Sequence, residues 1–85
     1  MNTTKDSSVD NKRVQSRMAE NTRSAFRAKE FGESDLASAL GIPSDRAREL
    51  WEGSRPYVVS DLPPIANLLG IDTFGVMAIM FEDLK

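Results

Sequence analysis

The sequence contains neither cysteine nor histidine among its 85 residues. Without them the chain has no disulfide, no Cys or His ligand for zinc, no thiol nucleophile and no imidazole to carry protons near neutral pH. No apolar run approaches the roughly 20 residues of a membrane-spanning helix, and residues 1–30 lack the apolar segment of a signal peptide. We therefore expect a cytoplasmic protein that is not an enzyme and that binds no metal, no cofactor and no membrane.

The short length limits the number of domains. With 40% apolar residues, 85 residues can bury one compact core, so a single domain is expected over residues 11–85. Residues 1–10 are polar and hold one apolar side chain beyond Met1, too few to offset the entropy lost on ordering. They are predicted to form a flexible N-terminal arm.

Charge is unevenly distributed along the chain. The net charge of −2 is not typical of a protein that binds phosphate groups. Residues 1–30, however, carry seven Lys or Arg and four Asp or Glu, whereas acids exceed bases in residues 31–56 and 57–85. Four basic residues of the first predicted helix form one stripe: Lys12, Arg13, Arg17 and Arg23. The alternatives are that this stripe is only a solvated face, or that a short arm carrying Lys5 reaches a neighbouring groove or phosphate.

Apolar residues recur at helical spacing in five segments, which predicts an all-α fold. The first helix runs from about Asn11 and stops near Gly32. Asp61 and Asp72 are suited to cap the fourth and fifth helices. The second to fourth helices are ESDLASAL, DRARELWE and LPPIANLL, each followed by glycine, and the fifth covers residues 73–84. Pro43 and Ser44 form the start signal of the third helix, with Ser44 as its N-cap candidate.

The fifth helix is apolar around nearly its whole circumference. One stripe can pack on the core and consists of Phe74, Met77, Phe81 and Leu84. That leaves Val76, Ile79 and Met80 on another face, and an exposed apolar stripe indicates a partner. We expect these three residues to form a homodimer interface.

Two short helices meet at a glycine turn in LASALGIPSDRARELWEG, residues 36–53. The small side chain of Ala37 allows two helices to cross steeply, and such a bihelical unit presents its second helix outward. Together with LPPIANLLGI, the segment resembles the lambda-repressor-like helix-turn-helix family, which includes phage repressors and Cro proteins. The resemblance covers about residues 33–71, with the helix-turn-helix at about 33–53. It implies a compact five-helix DNA-binding domain.

The resemblance also implies which residues contact DNA. Arginine pairs bidentately with guanine, and carboxylates accept from cytosine N4. The implied base-reading residues, on the third helix, are Ser44, Asp45, Arg46, Arg48 and Glu49. The implied phosphate contacts, at the start of the second helix and after the third, are Ser34, Gly53, Ser54, Arg55 and Tyr57. Glu33 stands where the family often has glutamine, and would repel a phosphate unless it pairs with a neighbour such as Arg46.

By this resemblance the chain is expected to bind a palindromic operator in double-stranded DNA as a dimer, in the manner of a Cro-like or compact phage or prophage repressor. Members of the family commonly pair through the fifth helix, which places two recognition helices about one DNA turn apart, roughly 34 Å. No small-molecule ligand is indicated. Two alternatives stay open: an antitoxin that represses its own operon and holds a toxin, and a protein-interaction module that has lost DNA binding.

Overall fold

The computed structural model describes residues 3–82, with side chains from residue 12 onward. Over this range the chain is all-helical and contains no strand, as predicted. The elements are α1 (Thr3–Ala28), α2 (Glu33–Leu40), α3 (Ser44–Glu52), a short 3-10 turn (Val59–Asp61), α4 (Leu62–Leu69) and α5 (Thr73–Met80).

The bounds of the first and last helices differ from the prediction. Helix α1 begins at Thr3 rather than near Asn11, so it extends into the segment predicted to be an arm; no proline or glycine interrupts residues 3–28. Residues 1 and 2 lie outside the described range. Helix α5 ends at Met80 rather than at residue 84, because the chain turns there with Glu82 N–H donating to the carbonyl of Ile79 at 3.2 Å. Residues 83–85, including Leu84, are also outside the described range.

The core lies where all five helices converge. Helix α1 packs on α3 and α5, α2 packs on α3 and α4, and α4 packs on α5. Phe26 of α1 is completely buried and meets Trp51 edge to face, with ring centroids 5.6 Å apart. The buried residues that surround it are Leu36, Leu50, Leu62, Ile65, Ala66, Leu69, Val76 and Met80.

Helix α5 is rotated relative to the prediction. Val76 and Met80 are each only 1% exposed in the core, and Ile79 packs against it half-buried. Val76 and Met80 are thus occupied within one protomer and Ile79 is occupied in part, so the prediction that this stripe is free for a partner is wrong. Phe74 and Phe81, which were expected to pack inward, are 79% and 50% exposed. The exposed stripe of α5 therefore contains the aromatic residues.

The two predicted aspartate caps have different outcomes. Asp72 caps α5, where its Oδ1 accepts a hydrogen bond from the Gly75 N–H at 2.7 Å. Asp61 does not cap α4; its Oδ2 accepts from the Val58 N–H at 2.9 Å and closes the 3-10 turn instead. Since that turn runs directly into α4, the helix needs no separate side-chain cap.

Within the described residues, no single helix has the length and apolar character to cross a membrane, although Val59–Leu69 and Thr73–Met80 reach those limits as a pair bent by 104°.

Candidate nucleic-acid interface

Helices α2 and α3 are joined by a tight turn and share buried side chains. Gly41 ends α2 in the left-handed conformation (φ 64°), and Pro43 in extended backbone begins α3. Leu36 and Ala47 are completely buried between the helices, with Leu50 3% exposed. Ala37, predicted at the closest approach, is only half-buried. This packing fixes α3 on α2 through its apolar side.

The opposite side of α3 is open to solvent. All five predicted base-reading residues, Ser44, Asp45, Arg46, Arg48 and Glu49, are exposed. Pro43 rather than Ser44 occupies the N-cap position, so the Ser44 hydroxyl is not engaged as a cap. The Asp45 carboxylate accepts from the backbone N–H of Arg46 at 3.0 Å. The face thus offers hydroxyl, carboxylate and guanidinium groups side by side on one helix.

Helix α1 fixes the C-terminal end of α3. Gln15 Nε2 donates to the carbonyl of Gly53 at 2.9 Å, and Arg23 Nη1 donates to the carbonyl of Trp51. A Cβ added at Gly53 would lie 3.2 Å from the Cβ of Ala19, so the two elements are in close contact. No sequence pattern indicated this positioning role for Gln15, and the periodicity of α1 places Arg23 simply on its polar side.

The loop after α3 directs its backbone N–H groups inward. Those of Gly53, Ser54 and Arg55 all donate to the carbonyl of Glu49, at 3.1, 2.9 and 3.3 Å. The Ser54 hydroxyl donates to the same carbonyl at 3.3 Å. Gly53 and Ser54 therefore have no backbone N–H left for the phosphate contact predicted for them. The Arg55 side chain is exposed. Ser34, at the start of α2, is exposed as well.

Two arginines of this face are held by carboxylates. Arg55 Nε lies 2.8 Å from Glu49 Oε1, and Arg48 Nε lies 3.4 Å from Glu33 Oε2. The partner of Glu33 is therefore Arg48 rather than Arg46. Among the described side chains Arg46 forms no ion pair, which leaves its guanidinium available.

A cleft of about 260 Å³ runs between α3 and the following loop. Arg46 and Arg55 both line it, together with Asp61. Its apolar lining consists of Ile42, Leu50, Pro56 and Val58. Two guanidinium groups from separate elements thus border one concave surface, with the Asp61 carboxylate beside them.

Tyr57 does not belong to this surface. Its hydroxyl oxygen is buried without a hydrogen-bond partner among the described residues, so the predicted phosphate contact is wrong. The ring turns inward and packs against the core, where burial raises the pKa of the phenol and the Asp61 carboxylate raises it further. A tyrosine in the loop after α3 can point either way, and the sequence does not show which.

Comparison with known proteins adds no identification, because no family model, no curated protein and no solved structure matches this chain.

Proposed function

We propose that this chain is a sequence-specific DNA-binding protein whose helices α2 and α3 form a helix-turn-helix, and that it represses transcription by occupying an operator. The observation that carries the proposal is the division of α3 into two sides. Ala47 and Leu50 are buried against α2, while five polar side chains that suit base edges are exposed. An outward polar face on a rigidly held helix is what major-groove reading requires.

Arg46 and Arg48 are the proposed guanine readers. Each is exposed on α3, and a bidentate contact to O6 and N7 discriminates by about 1–3 kcal/mol. Arg55, across the cleft from Arg46, and Ser34 on α2 are the proposed phosphate contacts. Phosphate contacts on both sides of α3 would set its register along the groove.

The proposed operator complex contains two copies of the chain. The stripe predicted for this pairing is occupied by the core, but other apolar side chains are exposed. Val58, Val59, Met77 and Phe81 line one cleft, and Phe74 is 79% exposed on α5. These five residues are the exposed apolar surface. Exposed apolar residues of this size mark interaction sites when they cluster. We assign this surface to a second copy because a two-fold pair reads a palindrome.

Selection from random duplexes at low and moderate salt tests the proposal. We expect a two-fold motif whose affinity falls steeply with salt, because phosphate contacts release counterions. Arg46→Ala and Arg48→Ala should each weaken binding to the selected site by about 1–3 kcal/mol. Arg17→Ala removes an exposed arginine from α1 and is the matched control, expected to change site preference little.

Failure to enrich any sequence would overturn the proposal. If a small protein then co-purified with the chain, the antitoxin-type alternative or a protein-interaction module would be favoured, and the apolar surface would be the place to search for its contact. Enrichment of a motif that both arginine variants bind unchanged would retain DNA binding but remove these two readers.

A further inference from the structure

Two carboxylates stand among the arginines of the proposed DNA-binding face. Glu33 reaches from α2 to Arg48 on α3, and Glu49 reaches from α3 to Arg55 in the loop. Both pairs therefore join separate elements, and together they occupy two of the three arginines on this face. Only Arg46 is left without a carboxylate partner among the described side chains.

These pairs are accessible to solvent. The side chains of Arg55 and Glu49 are 46% and 47% exposed, and those of Arg48 and Glu33 are 67% and 30% exposed. Exposed ion pairs contribute little to folding stability, and the buried packing of Leu36, Ala47 and Leu50 already holds α3 on α2. The pairs can open without unpacking the core, so each arginine can change partner.

On DNA the same carboxylates oppose phosphate. Non-specific binding consists almost entirely of phosphate neutralisation by Lys and Arg, so an arginine that is already neutralised adds little to it. A matching site is different, since a guanine edge offers a bidentate contact that can replace the carboxylate. For Arg48, a proposed guanine reader, the pair with Glu33 therefore penalises non-matching DNA more than matching DNA.

We infer that Glu33 is a specificity-determining residue, which keeps Arg48 off the phosphates of non-matching DNA and releases it at the operator. This inference rests on the proposed function. Glu49 pairs with Arg55, the proposed phosphate contact, and therefore opposes binding to any duplex.

Charge-neutral variants test the inference in the full chain. The dissociation constants of wild type, Glu33→Gln and Glu49→Gln are measured on the selected duplex and on a scrambled duplex across a salt series. Glu52→Gln is the matched control, because Glu52 is exposed on α3, forms no ion pair among the described side chains and changes the net charge equally. Chemical denaturation of each variant confirms that the fold is retained.

Each test variant should bind the scrambled duplex roughly 3- to 10-fold more tightly, with a salt slope steeper by about 0.9, because the freed arginine neutralises one more phosphate. The ratio of selected to scrambled affinity should fall for Glu33→Gln and stay unchanged for Glu49→Gln, because Arg55 contacts phosphate on either duplex. Glu52→Gln should shift the scrambled affinity by less than about 2-fold. An unchanged ratio for Glu33→Gln, or equally tighter binding by all three variants, would overturn the inference while leaving DNA binding intact. Absence of duplex binding by wild type and by every variant would instead overturn the proposed function.

Discussion

Tyr57 buries a hydroxyl that has no hydrogen-bond partner among the described residues, while its ring packs beside Met18 and Pro56. A buried polar group without a partner costs about 1–3 kcal/mol, and phenylalanine keeps the ring without the hydroxyl. We expect Tyr57→Phe to raise the free energy of unfolding by about 1 kcal/mol or more in urea denaturation at neutral pH. Tyr57→Leu, which loses the ring, should lower it. A less stable Phe variant would contradict this account.

The same phenol predicts a change in stability at alkaline pH. Burial raises its pKa in the folded protein, the Asp61 carboxylate raises it further, and Arg23 partly opposes the shift. The free energy of unfolding should therefore be unaffected below the ordinary tyrosine pKa of about 10 and fall as the pH rises above it, because the unfolded chain releases the proton first. Urea denaturation at about pH 9 and about pH 11 measures this fall. The Tyr57→Phe variant should lose less stability, and equal losses would argue against a buried phenol.

Glu30 ends helix α1 in a conformation that favours glycine, with φ at 63°. Phe31 N–H donates to the carbonyl of Phe26 at 2.8 Å and Glu30 N–H to that of Arg27 at 2.9 Å, the pair of bonds that closes a helix through a left-handed residue. Because this conformation costs other residues roughly 1–2 kcal/mol, Glu30→Gly should raise the free energy of unfolding by about 1 kcal/mol. Lys29→Gly, at a position without positive φ, should lower it by about 0.5–1 kcal/mol. Denaturation curves of both variants provide the comparison.

At the scale of the elements, the contact between α1 and α3 depends on Gly53. Gly53 and Gly41 both have positive φ, but a Cβ at Gly53 would lie 3.2 Å from Ala19, whereas a Cβ at Gly41 has nothing within 4 Å. Each alanine substitution carries the backbone cost of roughly 1–2 kcal/mol, and Gly53→Ala must also push α3 away from α1. Thermal unfolding should show a larger loss for Gly53→Ala. Equal losses of thermal stability in the two variants would mean that α1 moves away from the added Cβ at no cost.

The helix ends were predictable where glycine supplies the left-handed residue. Gly41, Gly53 and Gly70 all have positive φ and end α2, α3 and α4, as the sequence indicated. The end of α1 was not predictable in this way, because Glu30 occupies the left-handed position although glutamate disfavours it. Gly32 is not the end of α1 but the N-cap of α2, in extended backbone. Residue preferences therefore predict a helix end only where the left-handed position holds a residue that favours this conformation.

The orientation of α5 was not predictable for a related reason. With apolar side chains on nearly every side, the sequence of this helix does not distinguish an inner face from an outer one. Tertiary contacts determine which face of α5 is buried. Asn21 Nδ2 of α1 donates to the carbonyl of Met80 at 3.1 Å, and the side chains of Val76 and Met80 lie in the core. Such contacts join residues far apart in the chain and leave no periodic signal.

At the scale of the whole molecule, the exposure of the candidate interface followed from the sequence, but its electrostatics did not. The polar side of α3 is exposed because its apolar residues are needed against α2. The partners of Arg48 and Arg55 depend instead on how closely α2 approaches α3 and on the path of the following loop. Consequently the sequence identified the charged residues of this face but paired Glu33 with the wrong arginine.

The exposed apolar surface predicts the state of the molecule in solution. Phe74 is 79% exposed on α5, so a charge there should disturb one protomer little but oppose burial against a second copy. We expect wild type to sediment as a dimer at micromolar concentration and Phe74→Glu as a monomer with an unchanged circular dichroism spectrum. Asn67→Glu, at an exposed position on α4 outside this surface, should remain dimeric. If the Phe74→Glu variant stays dimeric, the interface lies elsewhere. If wild type is a monomer in solution, two copies pair only once both are bound to the DNA.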